Sequence, residues 1–325
     1  MTFPAGVTSW KALRIGGSIS CGIGNTDWVY CWGSGLYGDT GQWGYGTWPA
    51  GVGNNSSAGS LTPVAVTSPG GGVTSFSQIA VGISAACAIA NDNKVYCWGA
   101  NERGSIGNST STGVGSAPAL RPTLVTMPAG VTSFSKIVSG QDYFCALSNT
   151  NRAYCWGQNY FGQVGDGSGG GAYSGVWDEY VNRPSLMQLP VSSATSVVDI
   201  SASRWGACIT GNDYKRYCTG DNFMGQIGDG NMWVNVAIKV PTAHARGDTI
   251  VAMDDGGVGA FRSTYYIDNL NQLWTGGLNQ YGEMGNGTTN GTNPNATFYK
   301  VPYPPGITKW NRVMGGGEAV CAQGS

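Results

Sequence analysis

The sequence predicts an all-β fold, a β-propeller of four-stranded blades with five complete repeats, a partial sixth, and a disulfide inside the blade hairpin. Three observations predict it. A short motif recurs as Tyr30-Cys31-Trp32-Gly33, Tyr96-Cys97-Trp98-Gly99 and Tyr154-Cys155-Trp156-Gly157, with a weaker copy at Tyr217-Cys218-Thr219-Gly220 and an eroded one read at Leu273-Trp274-Thr275-Gly276. Each motif cysteine has another ten residues upstream, at Cys21, Cys87, Cys145 and Cys208. The 325 residues include 54 glycines and only 11% charged side chains, where globular domains carry about 25%. Recurrence at roughly 60-residue intervals marks a radial or linear array of like units.

The elements of one unit follow in order. An apolar residue eleven positions before each upstream cysteine opens a first strand, at Trp10, Phe76, Phe134 and Val197, with Met253 and Trp310 in the fifth and sixth copies. Lys136-Ile137-Val138 and Val198-Asp199-Ile200 show its β-branched character. A hairpin follows, with Asn91-Asp92-Asn93 as turn chemistry and Ala90 facing Lys94. That register sets Cys87 opposite Cys97; opposed Cα atoms in an antiparallel ladder lie about 4.5–5.5 Å apart, within reach of a disulfide. A glycine-rich segment such as Gly162-Gln163-Val164-Gly165-Asp166-Gly167 comes next, then a last strand passing through a proline, as in Arg121-Pro122-Thr123-Leu124-Val125. Four strands per unit make a propeller blade. The chain reads as one propeller domain, residues 1–325, with repeats at about 3–67, 68–126, 127–188, 189–242, 243–302 and a partial copy at 303–325. The fifth copy is read with Thr264 and Trp274 at the two cysteine places.

Eight of nine cysteines form four pairs: Cys21–Cys31, Cys87–Cys97, Cys145–Cys155 and Cys208–Cys218, leaving Cys321 unpaired. Zinc needs convergent ligands, and His244 is the one histidine. Disulfides therefore lead over metal, each contributing roughly 2–3 kcal/mol by closing its loop. They point to an oxidising compartment: extracellular, a cell surface or a virion surface. Met1 to Gly17 has no signal-peptide pattern, so export is expected by another route or from a natural N-terminus lying elsewhere. The net charge of −1 carries no footprint for nucleic acid, and no apolar run predicts membrane insertion.

The pattern Gly-x-x-x-x-Cys-Ala-Leu/Ile, a turn, then Val-Tyr-Cys-Trp-Gly-x-Asn-x-x-Gly-Gln-x-Gly-x-Gly resembles the repeat of the regulator of chromosome condensation family. It runs almost without gaps from Gly140 to Gly167, and from Gly82 to Gly107 with Ser105 in place of glutamine. The paired cysteines resemble secreted, bacterial-type versions of this repeat. The resemblance covers essentially the whole chain and implies four-stranded blades, seven in the best-known members, but no single activity. Family members include a nucleotide exchange factor, a plant ultraviolet photoreceptor and secreted β-lactamase inhibitors, all working through propeller faces. Their signatures are absent: Ser203-Arg204-Trp205-Gly206 lacks the photoreceptor-type histidine, and Ile19, Ala85, Tyr143 and Gly206 stand where the family often has one.

Insertions in repeat arrays collect on one face, often the binding face. Here they follow the glycine-rich segments, bringing Trp43, Tyr45 and Trp48 in repeat one, Tyr173, Trp177, Asp178, Glu179 and Tyr180 in repeat three, and Trp233 in repeat four. Loops before the upstream cysteines add Asp142, Tyr143, Arg204 and Trp205. Aromatic rings beside amides suit sugar stacking or a protein hot spot; equally, they pack loops onto blades. Trp32, Trp98 and Trp156 read as blade core. The expectation is a non-enzymatic recognition or adhesion module without a cofactor, its ligand a glycan or a protein. A structural subunit of a surface filament, self-assembling through the incomplete sixth blade with its unpaired Cys321, is the alternative, and a secreted inhibitor the next. The half blade itself reads either as a chain that continues past Ser325 or as a blade completed by another subunit. The enzymatic alternative is a carboxylate hydrolase using Asp178, Glu179 or Asp254. Sequons at Asn54, Asn55, Asn108, Asn286, Asn290 and Asn295 are few enough to arise by chance in a chain rich in Asn, Ser and Thr, as is Arg246-Gly247-Asp248.

Overall fold

The computed structural model describes residues 3–34, 36–37, 48–49, 51–111, 113, 116–174, 179–189, 194–230, 238–243, 250–253, 263–289, 298–316 and 319–325. The strands of the first two repeats are β1 Trp10–Ile15, β2 Ile19–Gly24, β3 Val29–Gly33, β4 Leu36–Tyr37, β5 Trp48–Pro49, β6 Ser60–Ala65, β7 Phe76–Val81, β8 Ala85–Ala90, β9 Val95–Gly99 and β10 Ala119–Leu124. The next two repeats give β11 Phe134–Ser139, β12 Tyr143–Ser148, β13 Ala153–Gln158, β14 Tyr180–Leu186, β15 Val197–Ala202, β16 Gly206–Gly211, β17 Arg216–Gly220 and β18 Ile238–Ala243. The last are β19 Ile250–Met253, β20 Ser263–Asp268, β21 Leu273–Gly277, β22 Tyr299–Lys300, β23 Trp310–Gly316 and β24 Ala319–Gly324.

These strands form five four-stranded blades, β1-β2-β3-β6, β7-β8-β9-β10, β11-β12-β13-β14, β15-β16-β17-β18 and β19-β20-β21-β22, with two-stranded sheets β4-β5 and β23-β24. Two compact units result. The first, Met1–Thr150 with Tyr154–Gln158 and Tyr180–Ser185, holds the first three blades but for the ends of the third. The second, Asn151–Ala153, Asn159–Glu179 and Leu186–Ser325, holds the fourth and fifth blades and the β23–β24 hairpin.

The hairpin of each blade is set by short-range chemistry. Cys21 faces Cys31, Cys87 faces Cys97 and Cys208 faces Cys218 in the ladder. All four disulfides form, with Cα atoms 4.0–4.1 Å apart. Cys321 is an exposed free thiol. At the hairpin tip an asparagine closes the blade on itself. The Oδ1 atoms of Asn25, Asn91, Asn149 and Asn212 each accept two backbone N–H groups from the segment entering the first strand, Thr74 and Ser75 at 2.9 and 3.3 Å for Asn91.

The tip also reaches forward. Asp27, Asn93, Asn151 and Asn271 adopt φ of 53–60°, the left-handed region that Asn and Asp tolerate best. Their carbonyls accept the N–H of Phe76, Phe134, Val197 and Trp310 at 2.8–3.0 Å, the first residue of the following repeat's inner strand in each case. The apolar positions read as strand openers in repeats two, three, four and six thus stand at these joints.

The fifth repeat departs from its expected alignment. Tyr265 faces Thr275 and Tyr266 faces Trp274, while Ile250 faces Asp268 as Phe76 faces Ala90. The motif there is Trp274-Thr275-Gly276-Gly277: Gly277 has φ 102°, matching 105° at Gly99, 106° at Gly157 and 108° at Gly220. Tyr265 and Thr275, not Thr264 and Trp274, occupy the cysteine places, and Ile250 rather than Met253 opens the first strand. Counting back eleven residues failed because the connection after β19 is longer in this repeat.

Cores form where blade faces meet. In the first unit one cluster joins Ile19, Val29, Phe76, Val81 and Trp98, and another joins Ile89, Phe134, Phe144 and Trp156. Trp98 and Trp156 are wholly buried, while Trp32 is half-buried. Trp156 Nε1 donates to the carbonyl of Ser105 at 3.0 Å, and its ring lies under Gly107, where an added Cβ would come within 2.7 Å. In the second unit Thr219 replaces the tryptophan, and its hydroxyl donates to the carbonyl of Gly162 at 2.8 Å.

Two outcomes follow from this packing. Gly107→Ala meets both a φ of 69° and a fixed indole, whereas Gly130→Ala meets a φ of 76° with open space around it. Denaturant unfolding should show a loss of about 1–2 kcal/mol for Gly130→Ala and several kcal/mol for Gly107→Ala. Secondly, Cys208 is half-buried while the other seven bonded cysteines are at most 1% exposed. Stepwise reduction with alkylation and mass mapping should find Cys208–Cys218 opening first, since exchange requires access to sulfur.

Candidate functional site

The glycine-rich segments open with a buried asparagine, at Asn101, Asn159, Asn222 and Asn279. Each Oδ1 accepts the N–H of the residue five positions on, Ile106, Val164, Ile227 and Met284, at 3.0–3.2 Å. Each Nδ2 holds the next bend, through Thr110 Oγ1, Ser168 Oγ, Asp229 Oδ1 and the carbonyl of Thr288. A primary amide with donor and acceptor at one end suits this double task. The result is a tight loop on which the two residues after the asparagine are fixed in place.

That loop meets the residue preceding a second strand, and the two units fill the contact differently. In the first unit Arg103 Nη1 donates to Asp142 Oδ2 at 2.8 Å, with side chains 11% and 6% exposed. Ser105 Oγ donates to the Asp142 carbonyl at 2.9 Å. Burial pushes the neighbouring Glu102 carboxyl above its ordinary value; Arg103 opposes that rise and Asp142 adds to it. In the second unit the same two positions are Phe161 and Trp205, with ring centroids 5.0 Å apart at 36°. The Arg204 guanidinium lies 4.7 Å from the centre of the Trp205 ring, a cation–π geometry. Tyr160 and Ala172 complete this cluster.

The insertion of repeat three is tied to it. Its 3-10 turn, Gly171–Ser174, sends the Ala172 N–H to the Tyr160 carbonyl at 3.0 Å. Asn159 N–H donates to the Glu179 carbonyl at 2.9 Å, and the Glu179 carboxylate accepts the N–H of Gly171. Glu179 is thus engaged in holding its own loop.

Of the residues expected at a ligand site, Arg204 and Trp205 come together, both half-buried. Tyr180 is half-buried, its hydroxyl 3.6 Å from where a Cβ on Gly113 would lie. Two expectations are corrected. Tyr143 is wholly enclosed at the start of β12, and Asp142 is 4% exposed and spent on Arg103, so neither offers an open binding group. Trp43, Trp177 and Trp233 lie outside the described residues; Trp48 lies in β5 and Tyr173 in the 3-10 turn, with side chains also outside that description. Phe161, Tyr160 and Arg103 escaped notice in the sequence. The signal that finds them is the asparagine two residues after four of the five motif glycines: Gly99-Ala100-Asn101, Gly157-Gln158-Asn159, Gly220-Asp221-Asn222 and Gly277-Leu278-Asn279. Among the described residues no three metal-ligating side chains converge.

Comparison with known proteins agrees with this architecture. Models of the regulator of chromosome condensation (RCC1) repeat match residues 76–105, 134–163 and 92–147. Human E3 ubiquitin-protein ligase HERC2 is 26% identical over 218 residues, 67% of this chain but only 4% of the ligase. The crystal structure of Prp20p from Saccharomyces cerevisiae superposes with a TM-score of 0.75 at 17% identity, covering 97% of this chain and 68% of that one. Human WBSCR16 gives a TM-score of 0.72 at 16% identity, covering 97% and 74%. At such identities these two structures speak for the fold alone. The matched repeats within 76–163, the recurring hairpin and the four-stranded blades together make the chain a β-propeller similar to the RCC1-repeat proteins.

Proposed function

We propose that the protein is a non-enzymatic recognition module that binds a protein partner through the loops around Trp205 and works in an oxidising compartment, outside a cell or on a cell or virion surface. The stack of Arg204 on Trp205 on Phe161 carries the reading: a rigid aromatic–cationic pair, partly open to solvent, on a loop held by buried hydrogen bonds. Trp and Arg are the residue types that dominate protein hot spots, and preorganisation lowers the entropic cost of binding. The four disulfides support the compartment. Prp20p, a protein of the same fold, binds Gsp1p and histones, so such propellers serve as protein-binding scaffolds.

Biotinylated wild-type protein and its Trp205→Ala and Arg204→Ala variants, applied to surface and extracellular extracts of the source, test this. The expected result is one defined partner whose affinity falls roughly thirtyfold in Trp205→Ala, equal to about 2 kcal/mol, with thermal stability retained in Arg204→Ala. A glycan-array hit without a protein partner would transfer the same patch to sugar recognition. Partner binding indifferent to both variants would remove the patch from the function.

A further inference from the structure

Arg216 is 2% exposed and stands in β17, two residues before Cys218. The other disulfide blades carry Val29, Val95 and Ala153 at this place. An apolar position has thus become a cation in one blade. Nη2 donates to Cys208 Sγ at 2.8 Å, Nη1 lies 3.5 Å from the carbonyl of Ile227, and the guanidinium sits 5.9 and 5.8 Å from the ring centres of Tyr266 and Phe298. Among the described residues no carboxylate forms an ion pair with it.

Burying a cation is costly unless an opposite charge accompanies it. Deprotonation does not remove the cost at neutral pH: burial lowers the Arg216 pKa only to about 10. A sulfur acceptor and two distant ring faces leave most of the positive charge uncompensated.

A cavity of about 20 Å³ adjoins the guanidinium, lined by Arg216, Cys208, Ser201, Ser203, Ser263 and Thr264. Ser203 and Ser263 already donate their hydroxyls to the carbonyls of Gly206 and Leu278. The Thr264 hydroxyl makes no hydrogen bond among the described residues and remains a free donor. Ser203, Cys208 and Thr264 are half-buried, which leaves a path to solvent. The space is matched to one water-sized particle. We infer that Arg216 and the Thr264 hydroxyl form a binding site for one small monovalent anion of the halide class, chloride in ordinary solution, which supplies the counter-charge that no described residue provides.

Thermal melts at constant ionic strength, with chloride replacing gluconate, test the site. Binding to the native state alone raises the melting temperature with chloride concentration, by at least about 1–2 °C for each tenfold increase above the dissociation constant. Arg216→Met, a swap of a buried ion for an apolar chain of similar length that folds often tolerate, should abolish the dependence. Thr264→Val should weaken it, and decides the matter should Arg216→Met fail to fold. Crystals soaked in bromide should show an anomalous peak in the cavity beside the guanidinium. Melting indifferent to chloride, an undiminished dependence in both variants, or a cavity without bromide would overturn the assignment.

Discussion

At four hairpin tips a backbone carbonyl makes the contact on which the array depends. A residue in the left-handed region turns its C=O outward, and the first N–H of the following repeat's inner strand finds its partner there. Asp27, Asn93, Asn151 and Asn271 all hold this shape, at a conformational cost that short polar side chains reduce. The disulfide and the tip asparagine brace the same hairpin. The fifth repeat separates these contributions. It has Tyr265 and Thr275 where the others have cysteines, yet Asn271 keeps φ 58° and its carbonyl still receives Trp310 N–H at 3.0 Å. Register therefore belongs to the turn, and the disulfide reinforces it.

Much of this was legible in the residues themselves. The ten-residue cysteine spacing, the Asn-rich turn and the alternating strand positions encode local pairings, and the ladder follows them, down to Ala90 and Lys94 closing the loop with a 3.0 Å hydrogen bond. The fifth repeat differs from its expected alignment because Trp274 occupies the tyrosine place, opposite Tyr266, and Thr275 the cysteine place. Glycines under positive φ are the surer markers, since few other residues tolerate that backbone. The candidate site was legible only in part. Exposure of Asp142 and Tyr143 depends on how an adjacent turn covers them, a long-range fact that spacing does not carry. Arg216 was visible as the one charged residue in a column of Val and Ala, but its burial needed coordinates.

Buried polar groups in the two units have unlike fates. Arg103 and Asp142 neutralise each other within a shielded pair, and such a pair is expensive to break and roughly neutral to replace whole. Among the described residues Arg216 has no such companion. Its surroundings are a disulfide sulfur, the Ile227 carbonyl and two aromatic rings, mostly soft and polarisable groups. The amides of Asn101, Asn159, Asn222 and Asn279 form the third kind, uncharged and hydrogen-bonded at both oxygen and nitrogen, and they hold the loops that present the neighbouring side chains.

The equivalence of Arg103–Asp142 and Phe161–Trp205 has a consequence for how such a protein changes over generations. Both pairs fill the same slot between an asparagine-braced loop and the start of a second strand, one by charge and one by ring stacking. The loop backbone is secured elsewhere, by the amide and by the hairpin, so the slot is free to change its chemistry by paired substitution without disturbing the strands. An array of this kind is a set of interchangeable sockets around a constant frame. New surface character arises one socket at a time, and a failed trial is confined to the socket where it occurred.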